Sequence, residues 1–177
     1  MHKVGNLDHS TLFSLKQFIN GALPIEVKWA LIFTVFSIFW VLGEKFLGLH
    51  DNLINKHVYL TQLFVIPVIG IYFFALLDKR KRDFGNNMSY KQGLITGIYI
   101  TAYVTMVSPF IQYITLEVIS PDYLRHAISY NVSTGLLSQH EAEQYFNLKN
   151  YIIQSMTGVA VVGNTISIVA ALFVKTT

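Results

Sequence analysis

Four long apolar stretches govern what this chain can fold into. They run over about residues Val27 to Leu49, Val58 to Leu77, Gly93 to Val118 and Tyr151 to Val174. Crossing the hydrocarbon core of a bilayer takes roughly 20 apolar residues in a helix, and each stretch reaches that length. None alternates apolar with polar residues, as a transmembrane strand would. A helix satisfies its backbone hydrogen bonds internally in lipid. The expected fold is an all-α integral membrane protein with four transmembrane helices. Composition supports this where it decides: charged residues make up 13% of the 177 and hydrophobic ones 53%, against roughly 25% charge in soluble domains. Mean hydropathy of +0.45 also excludes a disordered chain. There is no cysteine, so disulfides, thiolate metal sites, iron–sulfur clusters and cysteine nucleophiles are excluded.

The spans divide the chain. Residues 1–26 form an N-terminal amphipathic or interfacial segment, with Leu12, Leu15, Phe18 and Ile19 on one helical face. Residues 27–177 form the four-helix transmembrane domain. No small-residue cleavage site follows the first span, so it is expected to stay as an uncleaved anchor. Lys79, Arg80, Lys81 and Arg82 crowd the loop after span two. Basic short loops face the cytoplasm, so with four spans both termini are expected there. A nucleic-acid partner is not expected from one basic run at a helix end. The loop of about 120–150 reads as an outward-facing helical hairpin. Ser120 and Pro121 would open its first helix, and the S-Q-H-E box of Ser138 and Glu141 its second.

Within the spans, Gly93 and Gly97 make a G-x-x-x-G, and Gly163, Ser167 and Ala171 recur every four residues. Small residues let helices approach closely in lipid, so spans three and four are expected to pair. Pro67 and Pro109 should bend spans two and three. Glu44 and Lys45 lie near a span end and are expected to snorkel to water. Asn164 reads as an interhelical hydrogen-bonding group. Deeper polar residues are neutral, which weighs against proton-coupled transport. His50, Asp51, His57, His126 and His140 fall in the two loops on the hairpin side. They lack the spacing of a metal motif and are read as exposed loop histidines, with no metal, no cofactor and no catalytic residue expected.

Several segments resemble a known family. These are the Asp78-Lys79-Arg80-Lys81-Arg82-Asp83 run, Ser89-Tyr90-Lys91-Gln92-Gly93 leading to Gly97, Ser120-Pro121-Asp122-Tyr123-Leu124, Leu137 to Glu143, and Ser167 to Leu172. Together they resemble the four-span bacterial membrane family called domain of unknown function 4199, found mainly in Bacteroidota, over about Lys28 to Lys175. The resemblance implies an inner-membrane location and supplies no activity. Tyr130-Asn131-Val132 departs from it, standing where members often carry several charges.

The expected function is non-enzymatic: an interaction or assembly component of the bacterial inner membrane, contacting membrane lipids and a protein partner or a second copy of itself. The hairpin would carry the interaction through Tyr123, Arg125 and Tyr130, since Tyr and Arg often anchor interfaces. The alternative is a small oligomeric transporter or channel for a lipid or an uncharged solute.

Overall fold

The computed structural model describes residues 23–176. The N-terminal amphipathic segment, except its last residues, lies outside the described residues. All regular structure among them is helical: α1 (Ile25–Phe46), α2 (Ile54–Leu60), α3 (Val65–Asp83), α4 (Tyr90–Tyr113), α5 (Tyr123–Ser133), α6 (Gln139–Tyr145) and α7 (Leu148–Val174). A 3-10 turn, Thr61–Phe64, joins α2 to α3, and a π-helical turn, Ile114–Ile119, extends α4. Four stretches are long and apolar enough to cross a membrane: Ile25–Phe46, Ile54–Asp83, Tyr90–Ile119 and Leu148–Val174. The second starts earlier and ends later than the sequence suggests, because α2 and the basic run prolong the helix at both ends.

The four spans form a bundle in which α4 packs most extensively on α7, then on α1. The small residues set that distance. A Cβ on Gly93 would meet Ala171 Cβ at 3.3 Å, and one on Gly97 would meet Ser167 Cβ at 2.5 Å. Gly163 meets α4 as well, at Thr101, and also Tyr72 of α3. Beneath these contacts Ala30, Phe33, Val68, Tyr72, Ile100, Val104 and Ile166 are buried together. Large apolar side chains such as Phe39, Met106 and Phe173 are exposed, as a lipid-facing surface requires.

Both prolines sit beside a local repair of the backbone. The 3-10 turn lies just before Pro67. Pro109 leaves the Thr105 carbonyl without an amide donor, and Ser108 Oγ donates to that carbonyl at 2.9 Å. Asn164 returns its Nδ2 to Ala160 O of its own helix at 2.7 Å rather than reaching across.

One end of the bundle carries the basic run, and several charges there are paired. Lys28 meets Asp78 at 2.9 Å, and Lys79 meets both Glu26 and Asp83 at 2.7 Å. Arg80 donates to Val174 O, a terminal carbonyl of α7, at 2.9 Å. Thr176 then closes the end, its amide on Met88 O at 2.9 Å. A Ser89–Gln92 capping box starts α4.

The opposite end carries α5 and α6. The Ser138–Glu141 capping box forms as the sequence indicates. The start of α5 does not follow expectation. Asp122 precedes the helix without a capping bond, and Ser120 Oγ instead lies 2.6 Å from His50 Nδ1. Between α6 and α7 the chain breaks at Phe146, and Asn147 caps α7 by accepting from the Asn150 amide at 2.9 Å.

Candidate functional site

The hairpin end of α1 builds the site by a local turn. Gly48 takes φ +75°. The Leu49 amide donates to Glu44 O at 3.0 Å and the Gly48 amide to Lys45 O at 2.9 Å. This pair of bonds around a left-handed glycine is the Schellman ending of a helix, and it includes an apolar residue just past the glycine. That residue is Leu49, buried at 2% exposure. The turn sends the chain back over α1, so that His50 faces Glu44. A second bond, Leu53 amide to Gly48 O at 2.8 Å, starts α2, whose first turns bring His57 to the same place.

Three side chains converge there. His50 Nε2 lies 3.6 Å and His57 Nε2 3.8 Å from Glu44 Oε2, and one ligand atom from each of the three lies within 4.8 Å of the others. Glu44 Oε1 accepts from Trp40 Nε1 at 2.7 Å. The far ring nitrogens are held as well: His50 Nδ1 by Ser120 Oγ, and His57 Nδ1 by Tyr123 OH at 3.2 Å. Tyr123 OH is 3.3 Å from Tyr151 OH, and the Tyr123 ring stands edge-on to His50 and tilted against His57. Desolvation in this packing raises the Tyr123 hydroxyl above its usual pKa, so Tyr123 stays a neutral donor and acceptor at neutral pH.

This corrects the reading of Glu44 as a snorkelling residue and of the histidines as exposed. Glu44 is 7% and His50 5% exposed. Its neighbour Lys45 is exposed and turns its Nζ to Ile119 O at the end of the π-helical turn. His126 bonds the His50 carbonyl at 3.0 Å and does not join the cluster. His140 remains at the surface, against Gln144. A sequence signal existed: Trp40 and Glu44 are one helical turn apart, and Gly48 marks a helix stop that folds His50 back.

The cluster sits at one end of a cavity of about 500 Å³ between all four spans, walled by Trp40, Phe64, Ile111, Gln112, Gln154 and Val159 among others. A second, smaller cavity of about 160 Å³ adjoins it and shares Phe33, Phe64, Gly158 and Val159. Its further lining is Val65, Val68, Val162 and Tyr72 with Gly163, so it is almost wholly apolar. Tyr72 OH, 2.9 Å from Thr101 Oγ1, lies at the far end of that lining, away from the histidines.

The other sites read from the sequence fall apart from this one. Gly93, Gly97, Gly163, Ser167 and Ala171 lie in the α4–α7 contact, with Gly163 also against Tyr72. Of the hairpin residues, Tyr123 turns inward to the histidines, Tyr130 is partly buried, and Arg125 is exposed, paired with Asp122 at 2.9 Å.

Comparison with known families matches residues 28–176 to the one described as "Protein of unknown function (DUF4199)". The chain belongs to this family. The match covers the hairpin and all four spans except the first three residues of α1, as the resemblance indicated, so the DUF4199 region contains the entire Glu44–His50–His57 cluster. No curated protein and no solved structure matches the chain.

Proposed function

We propose that this DUF4199 protein is a binding component of the bacterial inner membrane that holds an amphiphile, a single lipid molecule, between its spans without transforming it. The observation that supports this is the adjacency of the two cavities, which share Phe33, Phe64, Gly158 and Val159. A polar end with Glu44, His50, His57, Tyr123 and Tyr151 lies beside an almost wholly apolar recess lined at its far end by Tyr72. A volume of about 500 Å³ falls within the roughly 300–1,000 Å³ usual for small-molecule sites. The polar end would take the headgroup and the recess the start of an acyl chain. In this reading both termini are cytoplasmic, and the histidine end of the cavity lies toward the other side, in keeping with the Lys79–Arg82 run. Reporter fusions after Arg82 and after Gly135 test that orientation, with cytoplasmic and external signals expected respectively.

The test of binding uses Gly158, which lines both cavities and has nothing within 4 Å of an added Cβ. Native mass spectrometry of the purified chain should show one retained lipid, and Gly158→Phe should lose it while keeping the wild-type helix content by circular dichroism. Equal lipid retention by wild type and variant refutes the reading. A second reading keeps the protein as an assembly component docking through the hairpin, favoured by the exposure of Arg125, 73% for its side chain. Arg125→Ala with Tyr130→Ala should then abolish recovery of a partner in mild-detergent pull-downs while leaving lipid retention intact.

A further inference from the structure

We propose that Glu44, His50 and His57 bind one divalent transition-metal ion of the zinc class, with a coordination position left open toward the cavity. This goes beyond the lipid reading and does not depend on it.

The first argument is charge. Glu44 is buried, and a buried carboxylate needs a cationic partner or a ligand to offset its lost hydration. Among the described residues no lysine or arginine pairs with it; its ionic neighbours are the two imidazoles. Lys45, the nearest lysine in sequence, is engaged at Ile119 O.

The second argument is distance. Both Nε2 atoms aim at one carboxylate oxygen, yet at 3.6 and 3.8 Å neither makes a hydrogen bond, which would need about 2.7–3.2 Å. A cation between them explains the gap. Zinc binds His nitrogen and carboxylate oxygen at about 2.0–2.2 Å. In tetrahedral geometry that sets the ligand atoms roughly 3.3–3.5 Å apart. The two Glu44 edges are within a few tenths of an ångström of this. The third edge, between the histidines, is within 4.8 Å, and closing it takes a small shift of the part-exposed His57 together with the Tyr123 hydroxyl that it meets.

The third argument is the shell behind the ligands. Metal-bound histidines usually hold their second ring nitrogen in a hydrogen bond, and ligating carboxylates are held likewise. Here all three are: His50 by Ser120, His57 by Tyr123 and Glu44 by Trp40. Ser120 comes from the turn after α4, and Tyr123 from α5, so the ion would tie α1 and α2 to the hairpin. Two imidazoles and one carboxylate form a donor set suited to zinc and neighbouring first-row ions, not to magnesium or calcium. Three protein ligands leave a fourth position for water or a ligand headgroup.

The experiment uses the full, tag-free chain in mild detergent, stripped with a chelator and dialysed. Titration with CoCl2 should give visible d–d absorption that saturates at one ion per chain, and ZnCl2 should displace it. Glu44→Gln and His57→Ala should each weaken Co2+ binding at least 100-fold. Ser120→Ala should weaken it about 10–100-fold. His140→Ala, outside the cluster, should leave it unchanged. Circular dichroism of each stripped variant establishes that it is folded. Because Glu44 and His50 are buried, the partly exposed His57 provides the deciding variant. A folded wild type without a saturable Co2+ spectrum overturns the proposal, as does His57→Ala binding like wild type. Lipid retention by chelator-stripped protein, measured in parallel, separates the two readings: retained lipid without metal binding overturns only the metal site. Saturable Co2+ binding without retained lipid supports the metal site and overturns only the lipid reading.

Discussion

In the basic half of the bundle α4 and α7 meet through Gly93, Gly97, Ser167 and Ala171, with a Gly97 Cβ excluded by Ser167. Toward the hairpin end the same two helices present Gln112, Thr115, Tyr151 and Gln154 and stand apart around a cavity. One pair of helices is thus sealed at one end and open at the other, and the difference lies in side-chain size. Small residues in lipid gain van der Waals contact by letting backbones approach. Amides and aromatic rings keep them apart and need partners of their own. The sealed half holds the helices together; the open half is where chemistry can be placed.

The sharpest way to break the sealed half is Gly97→Leu. The added side chain has no route past Ser167 and the helices must separate. The variant should lose ~3 kcal/mol, at the upper end for overpacked cores, measured by unfolding in mixed micelles. A loss below about 0.5 kcal/mol would mean that the contact does not set the helix spacing.

Two glycines on α7, five residues apart, compare the halves directly. An added Cβ at Gly163 would come within 2.6 Å of Tyr72 OH and 2.7 Å of Thr101 Oγ1, whereas at Gly158 it meets nothing within 4 Å. Gly163→Ala should therefore cost about 1–2 kcal/mol. Gly158→Ala should stabilise by about 0.5–1 kcal/mol, since alanine restricts the unfolded chain and favours helix. Opposite signs in the same unfolding assay support the division; equal signs remove it.

Tyr72→Phe probes the boundary between the halves. Thr101 Oγ1 donates its proton to Gly97 O at 2.9 Å, so Tyr72 OH is the donor in the 2.9 Å pair with Thr101. Losing that one buried bond should cost about 1 kcal/mol. Thr101 keeps its own acceptor, and the apolar recess keeps its shape, so lipid retention should be unchanged.

The same comparison explains what the sequence made legible. Span lengths, the Ser138–Glu141 box and the meeting of Gly93 and Gly97 with α7 follow from local pattern: run length, cap chemistry and four-residue spacing act within one or two helices. The Glu44–His50–His57 cluster joins a helix end, a loop and a second helix, and its supporting hydroxyls, on Ser120 and Tyr123, come from residues 70 and 66 positions further along the chain than the histidines they meet. No period in the sequence encodes such a convergence. Reading Glu44 together with Lys45 as a charged span end hid it, because the two adjacent side chains diverge, one inward and the other to Ile119. Ser120 was legible as a helix cap and is used as a histidine partner, since the turn before α5 brings it against the loop after α1. The local clues, the Trp40–Glu44 spacing and the Gly48 turn, fix only the Trp40–Glu44–His50 part of the cluster.

The smallest expected effect isolates the hairpin from the bundle. Glu141 is fully exposed, and hydrogen bonds from Ser138, through its side chain and then its backbone amide, hold the carboxyl below its usual range. A folded pKa below the unfolded one means that the contribution is complete above the unfolded value of roughly 4.3 and disappears as pH falls through the lower folded value. Protonating Glu141 removes the acceptor that holds the Ser138 amide at 2.9 Å, so the first turn of α6 should fray on acidification below pH 4. Amide hydrogen exchange, corrected for the intrinsic effect of pH on exchange rate, reads this as lost protection at the start of α6. Ser138→Ala should show the lower protection already at pH 7 and little further change on acidification. The amides of α4 and α7 around Gly97 should be unaffected in both cases, because the box lies at the hairpin end and touches neither helix. Acid-dependent loss of protection around Gly97 in wild type that Ser138→Ala abolishes would show that the hairpin's order is transmitted into the sealed half, and the two regions would then be one cooperative unit.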